Sequence, residues 1–351
     1  MPLRLDVLPT RLQLATIERR HTPSITHTLL QHIFYSDVQS FLSVTLTPTE
    51  LSMVIQTEHI ASFVACSPHI QLCPTVWRCL EVSSGECGGV LADFVNTVHT
   101  IAAPLAREKI SIFQLSTFDA DYTLVREDQL QHALHCLRRY FDIPSIQDHE
   151  SQHGDVGGEM ERSKDDDDDA GVRPSSGAAD DLHFHPFKQP ISNTNVYVAQ
   201  FSTNHLHMVM RPLVYGLLYA SSPLFSLTVV DQSLSMVADD SLLPHFPGSV
   251  MNILHSSSDH DGEHAGGWGV IAVGDETVGL GFEETGIVAA YTKPMKELKV
   301  NCFYLSTFHV DLILIPHIHA DAVLSELSIR VDRSRARQMA NTEVRENEIR
   351  E

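Results

Sequence analysis

Two glycines bracket four residues in Gly281-Phe-Glu-Glu-Thr-Gly286, and an apolar stretch beginning Ile287-Val-Ala follows at once. Glycines at the ends of such a loop let the main chain come close to a ligand. A helix starting behind it offers unpaired N–H groups and a favourable dipole to an anion. Glu284 in the loop and Asp311 further on add negative charge, which suits an ammonium or the planar donor fork of a guanidinium. Together they suit a molecule with a carboxylate at one end and cations at others, a free cationic amino acid. Each acid also has a structural reading: Glu284 can cap the helix, and Asp311 can form the turn after a strand. Which acid would meet which cation stays open.

Covalent chemistry has no visible setting. There is no Gly-x-Ser-x-Gly elbow, phosphate loop or dinucleotide fingerprint, and the serines and cysteines lack an evident base and orienting group. The protein is not expected to be an enzyme. Six cysteines, Cys66, Cys73, Cys79, Cys87, Cys136 and Cys302, show no zinc-ribbon spacing and are expected to be reduced. His183/His185, His205/His207 and His317/His319 place imidazoles two apart, and Asp259-His-Asp-Gly-Glu-His264 is dense in ligand types. With 21 histidines such pairs arise by chance, so no metal and no cofactor is expected. A net charge of -21 and the lack of a basic stripe argue against nucleic acid or an anionic membrane as partner. The opening MPLRLDVLPTRLQLATIERR lacks a secretory apolar core, and no run approaches about 18 apolar residues. A cytoplasmic protein is expected.

The elements that must position these residues are legible through an internal repeat. PLAREKISIFQLSTFDADYTLV (104–125) and PMKELKVNCFYLSTFHVDLILI (294–315) align at a constant offset of 190. The offset superimposes Pro104/Pro294, Lys109/Lys299, Phe113/Phe303, the Ser-Thr-Phe triplets at 116–118 and 306–308, and Asp121/Asp311. Trp77 and Trp268 open the two repeats. In the second repeat the periodicity predicts strands over 268–272, 300–305 and 312–315, with helices over 286–296 and 320–329. In the first repeat the strands fall at 77–82, 110–115 and 122–125, and the helices at 89–105 and 128–141. Each is the βαββαβ order of a ferredoxin-like unit. Ahead of each lies a second unit: strands at 12–17, 41–45 and 51–55 around a helix at 26–34, and strands at 196–201, 225–230 and 234–238 around a helix at 206–218.

Between the halves, residues 144–190 carry twelve acidic and four basic residues, five of them the aspartates at 165–169. Low hydrophobicity and self-repulsion make this an acidic disordered linker. The expected class is α+β, with four ferredoxin-like βαββαβ modules in two tandem pairs: 1–72, 73–143, 191–262 and 263–331. A charged tail occupies 332–351.

Tandem βαββαβ modules are the habit of ACT regulatory domains. Ser111-Ile112 followed by LSTFDADYTLVREDQL (115–130), GFEETGIVA (281–289) and YLSTFHVD (304–311) resemble the CASTOR family of cytosolic amino-acid sensors upstream of the TOR complex. The chain departs from that pattern at Ile112, Thr285 and His309. The resemblance implies four ACT modules, a homodimer, and an arginine site between modules 2 and 4 at Ser111, Ile112, Gly281, Glu284, Thr285, Gly286, Ile287, Thr307, Phe308 and Asp311, with His185 as a lid. It implies release of a GATOR-type complex on ligand binding, through a partner surface near Phe118, Asp119 and Asp121. Two other readings keep the fold: a ligand-independent scaffold or inhibitor, and a regulatory subunit of an amino-acid biosynthetic enzyme.

Overall fold

The computed structural model describes residues 3–35, 41–83, 94–144, 184–185, 187–188, 195–254, 267–274 and 279–350. Nearly all of the expected linker, the glycine-rich loop at 84–89, the start of the helix expected from 89, and the cluster at 259–264 lie outside the described residues. In chain order the elements begin β1 (Leu3–Glu18), α1 (Thr26–Tyr35), β2 (Phe41–Leu46), β3 (Glu50–Gln56), α2 (Ile60–Cys66) and β4 (Gln71–Leu72). They continue β5 (Trp77–Ser83), α3 (Phe94–Arg107), β6 (Ile112–Ser116), β7 (Ala120–Arg126), α4 (Leu130–Leu137) and β8 (Phe141–Asp142). After β9 (Phe187–Lys188) come β10 (Val196–Ser202), α5 (Leu206–Leu218), β11 (Phe225–Val230), β12 (Ser233–Asp239) and β13 (Asn252–Leu254). The last are β14 (Trp268–Val273), α6 (Ile287–Leu298), β15 (Phe303–Ser306), β16 (Asp311–Pro316) and α7 (Ala320–Arg350).

These strands join one sheet in the order β13-β10-β12-β11-β2-β3-β1-β5-β7-β6-β15-β16-β14-β9, and β10 also pairs with β14 through Val196 and Trp268. That last pairing closes β10 through β14 into a barrel-like ring of twelve strands. Four consecutive stretches of chain each supply three of them, in the internal order first, third, second. Two seams join the halves. β2 and β11 pair over six residues, with hydroxyl contacts Ser43–Thr228 and Thr45–Ser226 at 2.8 Å each. The other seam, β6 with β15, is closed by Leu115 opposite Leu305 and by two reciprocal bonds. Gln114 N–H donates to Ser306 Oγ at 3.1 Å, and Tyr304 N–H to Ser116 Oγ at 3.2 Å.

Alternation along the strands decides what lies inside. Trp268, Val270 and Ala272 point into an apolar cluster that also takes Leu12, Trp77 and Phe113, so all parts of the ring share one interior. Ile271 and Val273 of the same strand face outward onto α6. Helices α1, α2 and α5 cover one side of the ring, and α3, α4, α6 and α7 the other. Helix α1 therefore meets α5 and α3 meets α6, pairing first stretch with third and second with fourth.

Several expectations shift. The first strand begins at Leu3 rather than 12, because its early residues pair with β5 across a bulge. The helix expected over 128–141 is a 3₁₀ turn followed by Leu130–Leu137, after which the chain turns back into β8. The fourth strand of the second stretch, β8, lies parallel to β1 rather than beside β5. In the third stretch, 3₁₀ turns at Leu243–His245 and Gly248–Val250 replace the second helix. In the fourth, α7 runs on to Arg350 through the expected charged tail, and the position of a fourth strand beside β14 is taken by β9 from upstream. No helix among the described residues is long and apolar enough to cross a membrane.

Candidate functional site

Ser111, Ile112, Gly281, Glu284, Gly286, Ile287, Thr307 and Asp311 line one open cleft of about 420 Å3, the solvent space at its mouth included. The second stretch contributes the start of β6. The fourth contributes the loop before α6 and the turn from β15 to β16. Thr285 and Phe308 flank the cleft without lining it: the Phe308 ring turns inward, edge-on to Phe282 with centroids 4.9 Å apart. His185 arrives from outside the ring, its Nε2 2.5 Å from Glu284 Oε2.

The loop takes its shape from a few contacts. Leu280 N–H donates to the His309 carbonyl at 2.8 Å and Glu284 N–H to the Gly281 carbonyl at 2.9 Å. Gly286 sits at φ 86, a left-handed conformation that glycine adopts at little cost, and there the chain turns into α6. Among the described residues no side chain caps that helix start, so Glu284 is not its cap, and the first amides face the cleft without a capping partner there. A side chain at Gly281 would meet Glu284 among the protein's own groups, at 3.7 Å. Phe282 reaches into the ring interior against Trp77, centroids 6.2 Å apart, anchoring the loop.

Charge is arranged on two levels. At the surface, Arg126 at the end of β7 grips Glu283 at 2.6 Å, tying the loop to the second stretch. In depth, Asp311 is 6% exposed and accepts from the Tyr304 hydroxyl at 2.8 Å. Burial pushes its carboxyl up to about 6, against the opposing hydrogen bonds from Ser306 and Tyr304. A cation entering the cleft would favour the charged carboxylate. Thr307 Oγ1 donates to Glu50 Oε1 of the first stretch at 3.0 Å, and Glu50 also bonds Thr16 and His309. This Glu50 network carries no motif; it arises because β3 and the β15–β16 turn meet inside the ring. Arg126 with Glu283 was equally illegible, since each is an ordinary surface residue in its own segment.

The expected partner residues fall together beside the third stretch. Phe118 N–H donates to Ser235 Oγ at 3.0 Å, and Asp119 accepts from Ser233 at 3.0 Å and from Gln200. Asp119 is exposed, whereas Asp121 is 1% exposed, accepting from Ser116 Oγ at 2.6 Å. Asp121 thus offers no surface to a partner. The fourth stretch repeats the Phe118 contact: Phe308 N–H donates to Ser52 Oγ at 2.9 Å.

Two of the histidine pairs do not lie along extended chain: His205 and His207 span a 3₁₀ turn and α5, and His317 and His319 share a 3₁₀ turn, while His183 lies outside the described residues. Glu108, His132 and Cys136, which no spacing pointed to, bring ligand-type atoms within 4.8 Å. Burial, with Glu108 nearby, pushes the Cys136 thiol up, which disfavours the thiolate that a metal needs.

Residues 73–139 and 263–328 match the ACT domain family. Along 94% of its length the chain is 28% identical to the cytosolic arginine sensor for mTORC1 subunit 1 of Bos taurus, covering 99% of that protein. The Homo sapiens protein of the same name is 28% identical over 93% of this chain and 98% of its own. A putative protein CASTOR3P of Homo sapiens is 29% identical over 32% of this chain and 71% of its own. The resemblance to the CASTOR family read from the motifs therefore extends over nearly the whole chain.

Proposed function

We propose that this relative of the cytosolic arginine sensors is itself a cytoplasmic, non-enzymatic amino-acid sensor, with arginine as its ligand, acting on TOR complex signalling. All four stretches are ACT modules in this reading, with boundaries near 72, 143, 190, 262 and 331. The ligand lies between modules 2 and 4. Its carboxylate meets the uncapped amides at the start of α6, and its cationic groups meet Asp311 and Glu284. The observation that carries the reading is the cleft itself: one space joins two modules, an open helix start and a buried acid. A ligand filling it stabilises one arrangement of the modules, and a coupling of about 1–3 kcal/mol switches partner affinity by roughly 5- to 150-fold. The partner is a GATOR-type complex met at a surface including Phe118 and Asp119, and the protein acts as a homodimer.

A ligand-independent scaffold is the second reading, favoured by the fact that both loop acids already have partners, Glu283 in Arg126 and Glu284 in His185. A thermal-shift screen against the twenty amino acids separates the two, because a ligand that binds only the folded state raises the melting temperature with concentration. A saturable shift with arginine, lost in a folded Asp311→Asn variant, is expected. No shift with any amino acid leaves the scaffold.

A further inference from the structure

The cleft between the second and fourth stretches has a counterpart on the other side of the ring. There the first stretch supplies the connection from β1 to α1 and the turn from β2 to β3, and the third supplies the connection from α5 to β11. These are the same three positions in the fold that build the first cleft: the loop before a helix, the turn after the second strand, and the partner's entry into its second strand. The space here is larger, about 1290 Å3 with the solvent space at its mouth included.

Its chemistry is reversed. Arg19 is the charged residue of the lining, where the other cleft has Glu284 and Asp311. Its Nη1 donates to the carbonyls of Thr47 at 3.0 Å and Ser222 at 3.1 Å, and its Nη2 to the carbonyl of Ala220 at 3.0 Å. All three acceptors are neutral, and among the described residues no carboxylate pairs with it. Burial is what moves this guanidinium, pulling its pKa below the usual arginine value with no counter-charge to offset the loss of water. A guanidinium has five N–H donors, so Nε–H and one Nη2–H remain without an acceptor among the described residues. Thr22, also in the lining, is 5% exposed, and its Oγ1 has no hydrogen-bond partner. A buried hydroxyl left in this state is costly. The remaining walls are largely apolar, with Leu46, Pro48, Leu218 and Pro223 among them.

We propose that this cleft is a second ligand site, and that it takes a small monocarboxylate with an aliphatic body, the carboxylate on Arg19 and the body against the apolar walls. The lining has no acid to receive an ammonium, so a carboxylic or 2-oxo acid suits it better than the corresponding amino acid.

Calorimetric titration of the full-length protein with 3-methylbutanoate, 4-methyl-2-oxopentanoate, L-leucine and inorganic phosphate tests this. The first two are expected to bind at one site. Arg19→Met should weaken them about tenfold or more, the loss of a charge-assisted pair of hydrogen bonds. Ala220→Phe fills the cleft without removing Arg19 and should do the same, and it carries the test if Arg19→Met fails to fold. Asp311→Asn, which alters the other cleft, should leave this binding unchanged. Binding of neither acid, or undiminished binding in the folded variants, overturns the site. Phosphate or L-leucine binding as tightly as the two acids overturns the ligand class.

Discussion

Glu50 and His309, 259 residues apart in the chain, meet inside the ring with Oε2 and Nδ1 2.6 Å apart. Glu50 is 4% exposed and lies on β3 of the first stretch, while His309 belongs to the turn whose Thr307 lines the cleft. Burial pushes the Glu50 carboxyl up, but hydrogen bonds from His309, Thr16 and Thr307 outweigh it and hold the carboxyl below its usual value. The folded state therefore prefers the charged form. That contribution is present above the unfolded value near 4.5 and is lost as pH falls through the lower folded value. Replacing Glu50 by Ala removes the buried acceptor that Thr16, Thr307 and His309 share, and a loss of about 3–5 kcal/mol is expected in urea unfolding at pH 7. The Glu50→Gln variant should show a shallower fall in stability below pH 4.5 than wild type. An unchanged acid limb would mean that the carboxylate is not what holds this turn.

Ligand affinity should depend on pH through Asp311. Its carboxyl, raised by burial to about 6, is partly protonated in the empty cleft at mildly acid pH. A bound cation favours the carboxylate, so binding releases a proton below that value, and affinity falls as pH drops through about 6. Arginine titrations at pH 7.5 and 5 in buffers of different ionisation heat read both quantities. Affinity independent of pH in this range would remove Asp311 from contact with the cation.

Asp121 is the repeat partner of Asp311, and burial raises its carboxyl to about 7 despite the Ser116 hydrogen bond. For a raised group the stabilising contribution is complete below the unfolded value of 3.8 and is lost as pH rises through about 7. Asp121→Asn should therefore raise stability at pH 8 by on the order of 1–3 kcal/mol of recovered burial cost, read as a higher melting temperature, and change little at pH 4. A melting temperature lowered at pH 8 would show that the charged form is needed there.

The repeat offset made these two aspartates legible as a pair, and the Gly281–Gly286 pattern marked the loop, because both signals are local. Strand and helix positions followed from periodicity for the same reason, with Leu206–Leu218 falling where expected. The closure of the strands into a ring was not legible. It rests on pairings such as Val196 with Trp268 and Leu115 with Leu305, in which ordinary β-formers meet across long sequence separations. The environment of Glu50 stayed hidden too, since its partners Thr307 and His309 come from the fourth stretch. Asp121 was expected near a partner surface because its motif carries that association, but alternation along β7 sends Ala120, Tyr122 and Leu124 into the ring and Asp121 to the helix-covered face, where it is buried.

Phe184 and His185 bind the far end of the acidic segment to the fourth stretch. The Tyr291 hydroxyl donates to the His185 carbonyl at 2.5 Å, the Phe184 and Tyr291 rings lie 5.5 Å apart, and β9 adds to the edge of β14. Burial keeps the Tyr291 phenol protonated, so it remains a donor across the physiological range. Its hydroxyl thus fixes the main chain that carries the His185 ring to Glu284, at the mouth of the cleft. Tyr291→Phe retains the ring contact and removes this one bond, worth about 1 kcal/mol. Arginine should then dissociate roughly fivefold faster in stopped-flow measurements, with little change in the association rate. If the dissociation rate is unchanged while the melting temperature falls, the segment braces the fourth stretch and does not retain the ligand.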